Sequence, residues 1–220
     1  MRRPARARRS PARHGRSLPS RGRPTDEPGF DAKRSWAGPE KAAIARAALA
    51  TVEPGQAVAL SAGTTTYLLA ELLAGAGIPD LTVVTNGLRI ADALHGTAGV
   101  EVILTGGVRT PSDALVGPVA DATLASLRVD RTYLGVHGLD ASGLTTPNLA
   151  EAATDRALMA CAAATTVLAD HTKWGVVGLA RIAPLDDIDT LLTDDALPAD
   201  ARRHLTGAAL RLVTTPGAHS

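Results

Sequence analysis

Cysteine and aromatic residues are scarce in this 220-residue chain. Cys161 is its one cysteine, so neither a disulfide framework nor a cysteine-type zinc site can form within a single chain. Aromatic residues make up 2% of the sequence, which leaves too few rings for the stacking platforms that bind bases. No apolar run approaches the roughly 18 residues of a membrane-spanning helix. The N-terminal arginines precede no apolar segment of a secretory signal. We therefore expect a cytoplasmic protein without a membrane partner.

Several motifs that carry specific chemistry are also missing. The phosphate-binding patterns Gly-x-x-x-x-Gly-Lys-Ser/Thr and Gly-x-Gly-x-x-Gly do not occur, which argues against a nucleotide cofactor. The hydrolase pattern Gly-x-Ser-x-Gly and the metal pattern His-Glu-x-x-His are absent as well. These absences predict no cofactor and no metal site.

Charge divides the chain into two parts. Residues 1–38 carry a formal charge of +8 and residues 39–220 a charge of −7. The first part is rich in Arg and Pro with little to bury, so we predict a disordered basic arm over residues 1–35 and a folded domain over residues 36–220. The arm could bind a phosphate backbone weakly, or it could be the product of a misassigned start or a shifted frame in GC-rich DNA.

Predicted strands alternate with predicted helices along the domain. Helices are expected at residues 39–52, 66–74, 88–95, 119–127, 149–163 and 199–209. Strands are expected at residues 58–61, 81–85, 100–105, 132–135, 166–169, 188–193 and 210–213, with a loop between the fourth strand and Thr146. This order predicts the α/β class, with a mainly parallel sheet flanked by helices.

Polar and glycine-rich clusters follow five of these strands. They are Ser61–Thr66, Thr85–Gly87, Thr105–Gly107, His137–Gly138 and Asp170–Lys173. Parallel strands end at one edge of their sheet, and ligands of open α/β sheets bind outside that edge. The sequence therefore predicts a ligand pocket where these clusters meet.

Two features of this edge suit an anion. The segment Ser61–Thr66 places small residues and three threonines where a strand passes into a helix, and the N–H groups of a helix N-terminus bind phosphate or carboxylate. An ordinary helix cap explains the same residues equally well. Lys173 follows a buried strand and could pair with a phosphate as a point charge, or it could be a solvated surface lysine.

Glu151 and His137 are the other candidates in these loops. Glu151 opens a predicted helix, where a carboxylate stabilises the helix dipole and could also accept hydrogen bonds from sugar hydroxyls. His137 lies in Gly-Val-His-Gly and could be an acid/base, a ligand donor or a loop histidine without a chemical role.

An ordered set of short motifs resembles the sensor domain of DeoR-type transcriptional regulators over about residues 40–195. The motifs are Glu40-Lys41-x-x-Ile44-Ala45, Ser61-x-Gly63-Thr64-Thr65-Thr66, Val84-Thr85-Asn86, Leu104-Thr105-Gly106-Gly107, Leu115-Val116-Gly117-Pro118, Gly138-Leu139, Gly143-Leu144-Thr145-Thr146-Pro147-Asn148-x-x-Glu151 and Ala169-Asp170-His171-x-Lys173-Trp174-Gly175. The resemblance implies a fold like that of ribose-5-phosphate isomerase, glucosamine-6-phosphate deaminase and CoA transferases. It also implies a phosphorylated sugar as effector and a homo-oligomer.

The resemblance further implies which residues bind the effector. Those at the phosphate would be Gly63, Thr64, Thr65, Thr66 and Lys173. Those in the sugar pocket would be Asn86, Gly106, Gly107, Glu151 and Asp170. His137 is added to the sugar pocket by its place in the chain, although many relatives have a different, often acidic residue there.

Regulators of this type carry an N-terminal winged helix-turn-helix, and residues 1–38 show no helical periodicity that could form one. We therefore expect an effector-binding domain of a regulator of carbohydrate metabolism, truncated of its DNA-binding domain. Specific DNA binding is expected only through a full-length partner. The alternative is an isomerase or deaminase of the same fold, in which Asp140 or Glu151 would serve as the base.

Overall fold

The computed structural model of the chain describes Thr25, residues 29–205 and residues 209–213. The helices of this part are α1 (Phe30–Arg34), α2 (Gly38–Leu49), α3 (Thr64–Ala76), α4 (Leu88–Leu94), α5 (Pro118–Ala125), α6 (Leu149–Ala160) and α7 (Ala199–His204). The strands are β1 (Ala57–Leu60), β2 (Leu81–Thr85), β3 (Val100–Leu104), β4 (Val108–Arg109), β5 (Leu115–Val116), β6 (Val129–Gly135), β7 (Gly138–Asp140), β8 (Gly143–Thr146), β9 (Ala162–Leu168), β10 (Ala180–Ala183), β11 (Thr190–Asp194) and β12 (Ala209–Val213). Short 3-10 turns follow β9 (His171–Lys173) and β10 (Leu185–Asp187).

The central sheet has seven described strands in the order β12-β11-β9-β6-β1-β2-β3. Every neighbouring pair is parallel. The chain winds outward from β1 through β2 to β3, then returns to the other side of β1 and winds outward through β6 to β12. The predicted α/β class with a mainly parallel sheet is confirmed. The strand order reverses between β1 and β6, which is where ligands bind in sheets of this kind.

Helices cover both faces of the sheet because side chains alternate along each strand. Val58 and Leu60 of β1 belong to the core that includes Leu69 of α3, whereas Ala59 belongs to the core that includes Leu158 of α6. All five residues are fully buried. A fully buried leucine contributes about 1.5–3 kcal/mol to folding, so both layers are held to the sheet mainly by apolar contact.

The strands β10, β8 and β7 form a second, antiparallel sheet. The prediction of a loop before Thr146 is wrong, because residues 138–146 form the hairpin β7–β8. Leu139 and Leu144 of this hairpin share a hydrophobic core with Ile182. Strands of three and four residues between glycines are too short to show a period in the sequence.

Several predicted boundaries differ from the structure; the last helix, for example, ends at His204 and not at residue 209. The helix predicted over residues 149–163 ends at Ala160, and β9 begins at Ala162 because the alanine-rich stretch pairs with β6. The predicted arm reaches residue 35, but Phe30–Arg34 forms α1, since Phe30 packs edge-on against the Tyr67 ring at 5.4 Å between centroids. The remaining residues of that arm lie outside the described part apart from Thr25, Gly29 and Ser35, so its disorder stays a prediction.

Candidate ligand-binding site

A cleft with a cavity of about 70 Å³ lies at the switch point of the sheet. Its walls come from the loops that follow β1, β2, β6 and β9, and from the start of α6. The residues that line it and were predicted from the sequence are Gly63, Thr64, Thr65, Asn86, His137, Glu151 and Lys173. The structure therefore brings four of the five predicted loop clusters to one place.

The turn between β1 and α3 is fixed by two buried polar side chains. Ser61 Oγ accepts a hydrogen bond from the Gly135 backbone N–H at 2.8 Å, which ties the ends of β1 and β6 together. Asn86 Oδ1 accepts from the Ala62 N–H at 2.8 Å, and its Nδ2 donates to the Leu115 carbonyl at 3.1 Å. Asn86 lines the cleft, and both its amide oxygen and its amide nitrogen hold the backbone around it.

The start of α3 faces this cleft. Gly63 is the N-cap residue and no side chain caps the helix there, so the threonines do not act as an ordinary cap. Thr64 and Thr65 line the cleft. Thr66 is fully buried, donates its hydroxyl to the Gly63 carbonyl at 3.1 Å and is not among the lining residues. The first N–H groups of a helix lack carbonyl partners within it, so this end of α3 offers donors to an anion.

Lys173 lies on the wall formed after β9, in the turn His171–Lys173. Two aspartates hold that turn. Asp170 caps it by accepting from the Thr172 N–H at 3.1 Å, and the fully buried Asp194 accepts from the His171 N–H and contacts His171 Nδ1, both at 2.7 Å. Lys173 itself forms no ion pair with any described residue. Its ammonium is thus available to a ligand.

Glu151 lies in the first turn of α6, beside the cleft. Its carboxylate accepts hydrogen bonds from the hydroxyls of Thr110 (2.9 Å), Thr146 (3.2 Å) and Ser112. Asn148 caps the helix by accepting from the N–H groups of Ala150 and Glu151. Three hydroxyl donors fix the orientation of this carboxylate.

Asp155 is a lining residue that the sequence analysis missed. It lies one helical turn after Glu151 on α6, so both carboxylates face the cleft. Burial raises the pKa of Asp155 well above its usual value, and the neighbouring Glu151 carboxylate raises it further. The four-residue spacing from Glu151 was the signal that could have identified it.

The raised pKa of Asp155 gives a testable pH dependence. The folded chain holds this proton more tightly than the unfolded chain, so stability falls as pH rises from about 4, the ordinary carboxyl pKa, through the raised value. In urea unfolding from about pH 5 to about pH 8, we expect Asp155→Asn to gain stability relative to the natural chain as pH rises. Asp92→Asn, at an exposed carboxylate of α4, is the control. A pH-independent difference between Asp155→Asn and the natural chain would contradict the assignment.

Phe30 is another lining residue that was not predicted from the sequence. It is 5% exposed and lies beside Ala62 and Gly63. The Arg89 guanidinium stacks over its ring at 5.1 Å, and Arg89 Nε also donates to Asp113 Oδ2 at 2.8 Å. Burial opposes ionisation of Asp113, but hydrogen bonds from Arg89 and Arg109 lower its pKa below the usual value. Helix α1 therefore contacts the cleft directly.

Four predicted site residues lie outside the lining of the cleft. Besides Thr66, discussed above, these are the pair Gly106 and Gly107, together with Asp170. Gly107 has a φ of +122°, and a Cβ there would lie 2.6 Å from the Val116 carbonyl oxygen, so the close approach of two backbones explains this glycine. Asp170 is 2% exposed and acts on Lys173 through the cap of its turn.

The two ends of the cleft favour ligand groups of opposite charge. Backbone N–H groups of α3 and the Lys173 ammonium favour an anion, whereas the carboxylates of Glu151 and Asp155 favour donors. Among the described residues, no group of three or more His, Cys, Asp or Glu is placed to hold a metal ion. Every helix in the same part of the chain is too short or too polar to cross a bilayer.

A doubly wound α/β domain with its cleft at the switch point belongs to the class of proteins that bind small ligands beyond the carboxyl ends of their strands. Residues 37–195 match the family model of the DeoR C-terminal sensor domain. The match covers well over half of the chain, and the chain belongs to this family. It is thus an effector-binding domain of the kind found in transcriptional regulators.

Curated relatives support this assignment. The chain is 35% identical over 195 residues to an uncharacterized HTH-type transcriptional regulator, YgbI, of Escherichia coli K12, with 88% of this chain and 76% of that protein covered. It is 32% identical over 192 residues to a putative aga operon transcriptional repressor of Escherichia coli O157:H7, with 86% and 71% covered. Both relatives are transcriptional regulators by name.

Solved structures share the fold at low sequence identity. The β subunit of eIF2B from Chaetomium thermophilum superposes with a TM-score of 0.50 at 15% identity, over 70% of this chain and 48% of that one. A D-ribose-5-phosphate isomerase in complex with phospho-erythronic acid gives a TM-score of 0.46 at 18% identity, over 61% and 52%. The superposition on the eIF2B subunit shows that its α/β fold is shared by this chain.

Proposed function

We propose that the effector of this sensor domain is a phosphorylated sugar, bound in the cleft at the switch point. One observation carries the proposal. The start of α3 and Lys173, which has no ion-pair partner among the described residues, offer donors to an anion. In the same cleft Glu151 and Asp155 offer acceptors to hydroxyl groups. A sugar phosphate has an anion at one end and several hydroxyls at the other.

The phosphate binds at the start of α3 in this proposal. The N–H groups of Thr64 and Thr65 and the helix dipole favour its charge, and the Thr64 and Thr65 hydroxyls add donors. Lys173 supplies a full positive charge from the neighbouring wall. Thr66 contributes backbone only, since its hydroxyl is used within the turn.

The sugar lies towards α6. Glu151 accepts hydrogen bonds from its hydroxyls, and the side chains of Thr110, Ser112 and Thr146 keep that carboxylate in place. His137 and Asn86 line the same part of the cleft. Gly106, Gly107 and Asp170 act through the backbone or through neighbouring residues.

Helix α1 couples ligand binding in the cleft to the arrangement of the other parts of a regulator. A path of contacts links Glu151 to Phe30. The Ser112 hydroxyl donates to Glu151, the next residue Asp113 accepts from Arg89, and the Arg89 guanidinium lies over the Phe30 ring. A ligand that displaces a hydroxyl from Glu151 changes the support of α1, which directly precedes the domain. Such a change biases one arrangement of the regulator over another.

We also propose that the domain works as a homo-oligomer in the cytoplasm, and that specific DNA binding requires a full-length partner. Strand β3 is a sheet edge in the described part, and nearby Leu104, Val108 and Val119 are 41%, 71% and 61% exposed. Apolar side chains grouped on a surface mark association sites.

An enzyme of the isomerase or deaminase type is the second candidate, because a protonatable Asp155 beside Glu151 could exchange a proton with a substrate. Phosphorus NMR of the full chain with ribose 5-phosphate and glucosamine 6-phosphate separates the two. The sensor predicts a broadened phosphate signal from bound ligand and no new product signal after overnight incubation. A product signal that Glu151→Gln abolishes would establish the enzyme instead.

A further inference from the structure

The two carboxylates of the cleft differ in the number of hydrogen bonds that they accept. Both Glu151 oxygens accept hydrogen bonds from hydroxyls, three in all. The Asp155 carboxylate receives no hydrogen bond from any described residue. Its neighbour Arg156 is exposed and donates to the Arg181 carbonyl at 2.7 Å, so that guanidinium is used on the outer surface.

Acidic side chains also outnumber basic ones among the described residues that line the cleft. Two carboxylates line the cleft, and Lys173 is the one lysine or arginine among its described lining residues. In the proposed function the Lys173 ammonium pairs with the phosphate of the ligand. The α6 end of the cleft then keeps two partly buried carboxyl groups without a cation among the described lining residues. Neighbouring carboxyl groups of this kind are stabilised by a counter-charge or by holding a proton.

We propose that the effector carries a cationic amino group in addition to its phosphate, and that Asp155 together with Glu151 forms the amine subsite. The inference rests on the proposed function, because the phosphate at α3 and Lys173 fixes which end of the ligand faces α6. The chemical class is an amino sugar phosphate.

An ammonium group fits this subsite better than a hydroxyl. It presents three N–H donors, while a carboxylate has about four acceptor positions, of which Asp155 uses none and Glu151 uses three. Its positive charge brings a counter-ion to the carboxyl end of the cleft, and charged hydrogen bonds are about twice as strong as neutral ones. A hydroxyl in the same position brings no counter-charge to either carboxyl group.

Matched ligands test the inference by isothermal titration of the full chain in the presence of EDTA. The pairs are glucosamine 6-phosphate with glucose 6-phosphate, and galactosamine 6-phosphate with galactose 6-phosphate. The N-acetylated forms of both amines keep the nitrogen but not the charge. In at least one series we expect the amine to bind about tenfold or more tighter than both neutral members, the effect of one charged hydrogen bond.

Two variants separate the subsites. Asp155→Asn keeps the size of the side chain and should reduce the preference for the amine to about threefold or less while phosphate-dependent binding remains. Lys173→Ala should weaken the amine and the hydroxyl compound to the same degree and leave the preference unchanged.

The outcomes are distinct. Equal affinities for amine and hydroxyl compounds would overturn the amine subsite and leave the sugar-phosphate proposal standing. Tighter binding of the N-acetylated forms would overturn it as well. A preference that persists in Asp155→Asn would show that Asp155 is not the determinant. Failure of every phosphorylated compound to bind would count against the proposed function itself.

Discussion

Replacing Lys173 by alanine is expected to weaken binding of a phosphorylated sugar by about 10- to 100-fold, since a hydrogen bond to a charged group contributes about 1.5–3 kcal/mol. Lys173 forms no ion pair with a described residue, so its removal leaves no carboxylate unpaired. The fold should therefore keep its stability. Isothermal titration gives the affinity, and urea unfolding checks the stability.

Two further variants make the result specific to the ammonium in the cleft. Lys173→Gln has a similar length without charge and should lose nearly as much affinity as the alanine variant. Arg203→Ala removes an exposed cation at the end of α7 and should leave the affinity unchanged. Wild-type affinity in both Lys173 variants would show that the phosphate does not bind at this wall.

The second large effect is expected from Gly138→Ala. A Cβ at Gly138 would lie 2.1 Å from the carbonyl oxygen of Val176, and that backbone is held in place. The Gly175 N–H donates to the Leu139 carbonyl at 2.8 Å, and the Gly178 N–H donates to Thr145 Oγ1 at 2.9 Å. We expect a loss of about 3 kcal/mol or more, at the upper end of overpacking, measured as a lower urea midpoint.

The same substitution should also reduce ligand binding, because the segment that Gly138 contacts begins directly after Lys173. Gly75→Ala is the matched control. Gly75 lies within α3 with no atom within 4 Å of its built Cβ, so alanine there should stabilise the chain by about 0.5–1 kcal/mol through helix propensity. Equal urea midpoints for the two variants would contradict the predicted close contact at Gly138.

The sheet and the place of the cleft could be predicted because both follow from local patterns. Apolar runs such as Leu81–Thr85, followed by a polar turn and a helix, fix the order of elements, and parallel strands bring their turns to one edge. The hairpin β7–β8 could not be predicted in this way. Its strands are short, and its glycines are required by contacts with residues 176 and 183, far away in the sequence.

Most of the predicted site residues line the cleft, and their binding of a ligand stays a prediction. Lys173 and Thr65 line the cleft as their position indicated. Gly106 has the same position after β3 but lies away from the lining, because β3 is two strands from the switch point. Phe30 precedes the domain in sequence and carries no local signal of a site, since its place depends on packing against α3.

Thermal unfolding of the full chain with matched phosphorylated and free sugars is the most direct test of a cleft built for a phosphate. A ligand at about 100 times its dissociation constant adds about 2.7 kcal/mol to the stability of the folded state. We expect at least one phosphorylated sugar to raise the unfolding temperature, its free sugar to have no effect, and Lys173→Ala to abolish the shift. An equal shift with the free sugar, or none with any phosphorylated sugar in a cooperatively unfolding chain, would contradict the proposed function.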